Sequence, residues 1–195
     1  MQQNPSSQYE TVFPERDTIT LNGQRGYILA VIEHAARRVR VLGTTAHPSA
    51  SWFVQAIRNL VMDLDNTGRR ARFLNRDRDG KLPALMDEIL VEAGIKTVLT
   101  GIPMPRMKST RKRWVRSCRR ELLDRRLAWN EHHLRHALRE YEHFYNHHRA
   151  RQALDQAAPP RPVPDPITDP EQISDLNIRR RGRLGGVLRE YSHAA

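Results

Sequence analysis

The stretch RARFLNRDRDGKL, residues 70–82, decides how this chain is read. Ala71, Phe73 and Leu74 form a short apolar run bordered by arginines, and the run leads straight into Asp77, Arg78, Asp79 and Gly80. An apolar run of this length, closed by a glycine turn, reads as a strand. A strand that ends in carboxylates has two readings. One is an Asp-rich surface turn. The other is a metal-binding carboxylate held at the carboxyl end of a buried strand, where ligand sites of α/β sheets form.

The flanks supply the rest of the sheet. LPALMDEILVEAG (82–94) reads as an amphipathic helix closed by Gly94, and IKTVLTG (95–101) as the next strand. Upstream, GYILAVIEHA (26–35) is nearly continuous in apolar residues, which predicts a strand buried on both faces. RRVRVLGTTAH (37–47) alternates better and follows after a short turn at Ala35 and Ala36, so the two form an antiparallel hairpin. Pro48 and Ser49 start a helix over 51–64, whose apolar residues Phe53, Val54, Ile57, Leu60, Val61 and Leu64 keep helical spacing. The order strand, strand, helix, strand, helix, strand predicts a layered α/β domain with both antiparallel and parallel pairs.

Past GIPMPRM, residues 107–126 read as a helix. Trp114, Cys118 and Leu122 fall four apart on one face. Lys108, Lys112, Arg116 and Arg120 fall four apart two positions out of phase, about 200° around the helix, so the basic stripe faces away from the apolar one. A second helix over 130–148 buries Leu134, Leu138, Tyr141, Phe144 and Tyr145. Residues 1–16 read as an irregular N-terminus, 17–155 as the core domain, and 156–195 as a Pro-rich linker and basic, flexible tail. Half of the prolines stand between Pro159 and Pro170, as in a stiff linker or extended arm.

A net charge of +11 points to a polyanionic partner. The charge is concentrated: ten Lys or Arg against Glu121 and Asp124 between Arg106 and Arg126. The cations Arg106, Lys108, Arg111, Lys112, Arg113, Arg116, Arg119 and Arg120 are therefore the candidate DNA contacts. The bland alternative is a solvated basic helix face. The single cysteine, Cys118, excludes an internal disulfide framework and a cysteine-rich zinc site. Without an apolar run of membrane-spanning length or a secretory signal, a cytoplasmic setting is expected. Six of nine histidines lie in 132–148, and His132/His136 and His143/His147 have the i, i+4 spacing of helical zinc ligands. No third ligand accompanies either pair, so solvated helix faces are expected there.

Four of these stretches, in this order, resemble the ribonuclease-H-like catalytic core of integrases and insertion-sequence transposases. YILAVIEHAARRVRVLG resembles the central hairpin of that core, and FLNRDRDGKLPALMDEILVEAGI its strand, Asp turn and helix. TGIPMPRMKSTRKRWVRSCRREL resembles the loop and catalytic helix. HALREYEHFYNHHRARQAL resembles the closing helix, with its Tyr-Asn-x-x-Arg ending. The resemblance implies a mixed five-stranded sheet flanked by helices, with an extended C-terminal arm. It also implies phosphoryl transfer on DNA, in which two Asp and one Glu hold two Mg²⁺ or Mn²⁺ ions.

Carried over by position, Asp77 is the second of the three carboxylates. The first is expected near Pro14, where Asp17, at the head of the strand-like DTITL, is the better candidate for a ligand. The third position, just before an Arg-Trp pair, holds Lys112, whose ammonium repels metal ions instead of binding them. Against that resemblance, the chain is expected to lack the N-terminal helix-turn-helix domain usual in active members. Together these departures predict an inactive, truncated core that binds DNA, as a homo-oligomer or with a subunit of an intact transposase. The alternative is a non-catalytic DNA-binding remnant or regulator.

Overall fold

A strand that is apolar on both faces needs a layer of helices on each side, and residues Arg25–Glu33 receive both. In the computed structural model, which describes residues 7–12, 18–76, 84–99, 105–149 and 178–193, this strand lies inside a mixed sheet. The strands are β1 (Ser7–Val12), β2 (Thr18–Ile19), β3 (Arg25–Glu33), β4 (Val39–Thr45), β5 (Ala71–Arg76) and β6 (Lys96–Leu99). Five of them form the order β4-β3-β1-β5-β6, and the two-residue β2 pairs with the start of β3. β1 and β4 run antiparallel to β3, while β1, β5 and β6 run parallel. The parallel connections use α1 (Ala50–Asn66) between β4 and β5, and α2 (Ala84–Glu92) between β5 and β6.

Alternation along β3 divides the core. Leu29 and Val31 face α1 and α2, packing with Phe53, Ile57, Leu60, Met86 and Leu90. Ile28, Ala30 and Ile32 face the other layer, built by α3 (Pro105–Glu121) and α4 (Glu131–His147). Trp114 and Cys118 from α3, with Leu122 just past its end, join Leu134, Leu138 and Tyr141 from α4 there. Full burial of a large apolar side chain such as Leu122 contributes about 1.5–3 kcal/mol. Ser49 caps α1 by accepting from the Trp52 N–H, and Asn130 caps α4 by accepting from the His133 N–H at 2.9 Å.

Two expectations are corrected. The segment read as an irregular N-terminus contains β1, which lies at the centre of the sheet between β3 and β5. Its sequence SQYETV has little apolar character; backbone pairing on both sides, through Tyr9↔Glu33 and Tyr9↔Leu74, makes it a strand. The tail read as flexible contains an antiparallel hairpin, β7 (Ile178–Arg183) and β8 (Leu188–His193). Leu188 is 2% exposed and belongs to the α3/α4 core cluster, so the hairpin is docked. Arg126 Nη1 donates to the Leu184 carbonyl at 2.8 Å, and Arg183 Nη1 to Glu140 at 2.8 Å. The proline-rich stretch 159–170 lies outside the described residues.

Candidate nucleic-acid interface

β5 ends at Arg76, and Asp77 follows just outside the described residues, as do Pro14 and Asp17. Parallel pairing aligns the carboxyl ends of β1, β5 and β6 along one edge of the sheet. On β1 the acid is Glu10, a residue the sequence reading did not single out. It is opposite Ile32 on β3 and Asn75 on β5, and so lies on the α3/α4 side of the sheet.

Glu10 is 2% exposed and Asn75 is fully buried. The Asn75 carbonyl accepts from Thr11 Oγ1 at 2.7 Å, while its side-chain amide has no hydrogen-bond partner among the described residues. A Glu10 oxygen lies 3.6 Å from His34 Nε2. Burial, and then the charge of Arg37, hold the His34 imidazole below its ordinary value, so it is neutral at neutral pH. Glu10 therefore faces a polar neighbour and not a cation on that side.

On α3 the two stripes separate as the spacing predicts. Trp114, Cys118 and Leu122 are buried, whereas Lys112, Arg113, Arg116, Arg119 and Arg120 are exposed and Arg111 is half-buried. Arg106 and Lys108 stand in the first turn of α3, and their side chains lie outside those described. Burial, then the carboxylates of Glu121 and Asp124, push the Cys118 thiol far above its ordinary value. Cys118 thus behaves as a small apolar residue with no nucleophilic role. Arg37 donates to Thr110 Oγ1 and ties the first half of α3 to the β3–β4 turn.

The Tyr-Asn-x-x-Arg ending of α4 proves to be architectural. Tyr145 is buried, and Arg149 donates to both carboxylate oxygens of Glu121 at 2.9–3.2 Å and to Ser117 at 3.2 Å. These bonds fix the last turn of α3 against the end of α4, and with it the direction in which the basic face points. An open groove of about 690 Å³ lies elsewhere, between the end of α1, the start of β5 and the end of α2. It is at the amino end of β5, away from the edge that leads to Asp77.

Asp77 and Asp17, the acids expected to hold metal, lie outside the described residues; Glu10 is buried beside His34, and Lys112 is exposed on α3. What the surface offers is a row of cations on a helix whose other face is fixed in the core, a geometry suited to phosphate oxygens.

Comparison with solved structures finds the same fold. The chain is similar to a chain of the simian T-cell lymphotropic virus intasome in complex with PP2A regulatory subunit B56 gamma. The match has a TM-score of 0.61 at 14% identity and covers 96% of this chain and 67% of that one. It is also similar to the catalytic core domain of BIV integrase, with a TM-score of 0.56 at 14% identity over 79% of this chain and 91% of that one. No protein-family model matches the chain, and no curated protein does. The fold is therefore that of an integrase catalytic core, the mixed five-stranded sheet of ribonuclease-H-like proteins, at low sequence identity.

Proposed function

We propose that this protein binds DNA through the outward face of α3 and is an integrase- or transposase-like core impaired in strand transfer. The observation that carries the reading is Lys112. It is exposed among Arg113, Arg116 and Arg120 on α3, where the sequence resemblance expects the third metal-binding carboxylate. A cation there adds to phosphate attraction and opposes metal binding. Under this reading Asp77, which follows β5 in sequence, is the remaining acid of the set, with Asp17 as a further candidate ligand for Mg²⁺ or Mn²⁺.

The fold supports a nucleic-acid partner, since both solved relatives above are named as an intasome and an integrase. A second copy of the chain, or a subunit of an intact transposase, is the expected protein partner. Among the described residues no helix is long and apolar enough to cross a membrane; the working compartment under this reading is the cytoplasm.

The test is a titration of duplex DNA at several salt concentrations. Binding by phosphate contacts gives a binding constant whose logarithm falls linearly with log salt, with a slope of about −0.9 per neutralised phosphate, and no need for divalent metal. An affinity insensitive to salt, or one that appears only with metal, overturns the reading.

A further inference from the structure

Helix α4 carries His143 and His147 one turn apart, and their rings stack with centroids 4.5 Å apart. Among the described residues that pair acquires no shared third ligand. The structure gathers a different set, across a large gap in sequence. His148 caps α4, and β8 returns the carboxylate of Glu190 beside it. Glu190 is 5% exposed. Its Oε1 lies 3.5 Å from His148 Nε2 and 3.9 Å from His143 Nδ1. The ligand atoms of His143, His148 and Glu190 all lie within 4.8 Å of one another, and they are the group of this kind among the described residues. A tetrahedral zinc ion with bonds near 2.0–2.1 Å has ligand–ligand edges of about 3.3 Å. The observed spacings, 3.5 and 3.9 Å from Glu190 and within 4.8 Å overall, are a little wider than that.

We propose that His143 Nδ1, His148 Nε2 and the Glu190 carboxylate form a Zn²⁺ site, completed by a water, that fastens the arginine-rich β7–β8 hairpin to the end of α4.

The donor set favours zinc over magnesium, because two imidazole nitrogens suit the softer ion and Mg²⁺ prefers oxygen. The competing cation is Arg183, whose Nε contacts Glu190. Arg183 also donates from Nη1 to Glu140 at 2.8 Å, so it keeps a carboxylate partner when Glu190 turns to the metal. Two carboxylates against one guanidinium leave a net negative charge to receive the ion. Access is open through His143, whose side chain is 46% exposed. The hairpin held this way presents Arg179, Arg180, Arg181 and Arg189 to solvent. A zinc ion would thus stiffen a second basic surface, independently of the acid at Asp77.

The experiment uses the full chain, titrated with Zn²⁺ in competition with a chromophoric chelator at neutral pH, and with Co²⁺ as a spectroscopic probe. The expected result is one ion per chain and the strong visible absorption of four-coordinate Co²⁺. His143→Asn, a half-exposed position whose change leaves the hairpin docked, should weaken binding at least about tenfold, and Glu190→Gln likewise. The double variant His132→Asn, His136→Asn should bind as the native chain does. Zn²⁺ should also slow tryptic cleavage at Arg179–Arg181 in the native chain and not in His143→Asn. Absence of binding in the micromolar range overturns the proposal. So does binding that survives His143→Asn and disappears in the His132/His136 double variant.

Discussion

The side-chain amide of Asn146 meets both backbone groups of Val39: Nδ2 donates to the carbonyl at 2.8 Å, and Oδ1 accepts from the N–H at 2.9 Å. The amide stands in for a neighbouring strand at the start of β4, and both residues are buried. Asn146→Asp keeps the acceptor, loses the donor and sets a carboxylate against the Val39 carbonyl. A buried polar group left unpaired costs about 1–3 kcal/mol. The urea midpoint should fall with the slope unchanged; a midpoint equal to that of the native chain contradicts this role for the amide.

Docking of the C-terminal hairpin rests on Leu188, which reaches the α3/α4 core. Leu188→Ala removes that anchor at a cost of about 2–5 kcal/mol, the usual range for buried leucines. The loss is expected locally. Amide exchange in β7 and β8 should speed up while α1 and β3 keep their protection. Uniform acceleration over the whole chain would show that the hairpin is inseparable from the core.

Acid should weaken the same docking. The hydrogen bond from Arg183 holds the Glu140 carboxyl below its ordinary value. A carboxyl with a depressed folded-state pKa contributes stability above its ordinary pKa and loses it as pH falls through the folded value. Glu140 is 29% exposed, so solvent keeps the effect to about 1 kcal/mol or less. The stability gap between the native chain and Glu140→Gln should therefore be present at neutral pH and close below the ordinary carboxylate range. A gap that persists in acid assigns the loss to packing instead.

Phosphate contacts by α3 are separable from folding, because Arg113 and Arg116 are exposed. Arg113→Gln with Arg116→Gln should weaken DNA binding evenly across sequences. The salt slope should drop by about 1 for each lost contact. Unchanged stability accompanies that result. An unchanged slope would move the DNA interface off this helix.

Much of this fold can be read from the chain because its main elements obey their local patterns. The β3–β4 hairpin, α1, β5, α2 and the two faces of α3 follow from apolar spacing and from caps such as Ser49. β1 escapes such reading. Glu10 and Thr11 are buried there by the pairing of β1 with β3 and β5, and no local signal in SQYETV announces partners so distant in sequence. The hairpin escapes for a related reason: IRRRGR shows no apolar alternation, and its hold comes from Leu188 and from Arg183 meeting Glu140. The same limits apply to the sites. Lys112 is singled out only by the resemblance of the residues around it to a motif, and the structure shows it exposed on α3. Glu10 lies in an unrecognised strand, and the grouping of Glu190 with His143 and His148 depends on contacts that no spacing rule reports.

The proposed protein is a DNA-binding core in which Lys112 blocks strand transfer. A nicking and strand-transfer assay in Mn²⁺ tests this with the native chain, Asp77→Asn and Lys112→Glu, run beside a DNA-binding control. Bound DNA and no cleavage by the native chain are expected, with any gain of cleavage confined to Lys112→Glu. Cleavage by the native chain that disappears in Asp77→Asn would contradict the proposal, and would mean that another group completes the metal site.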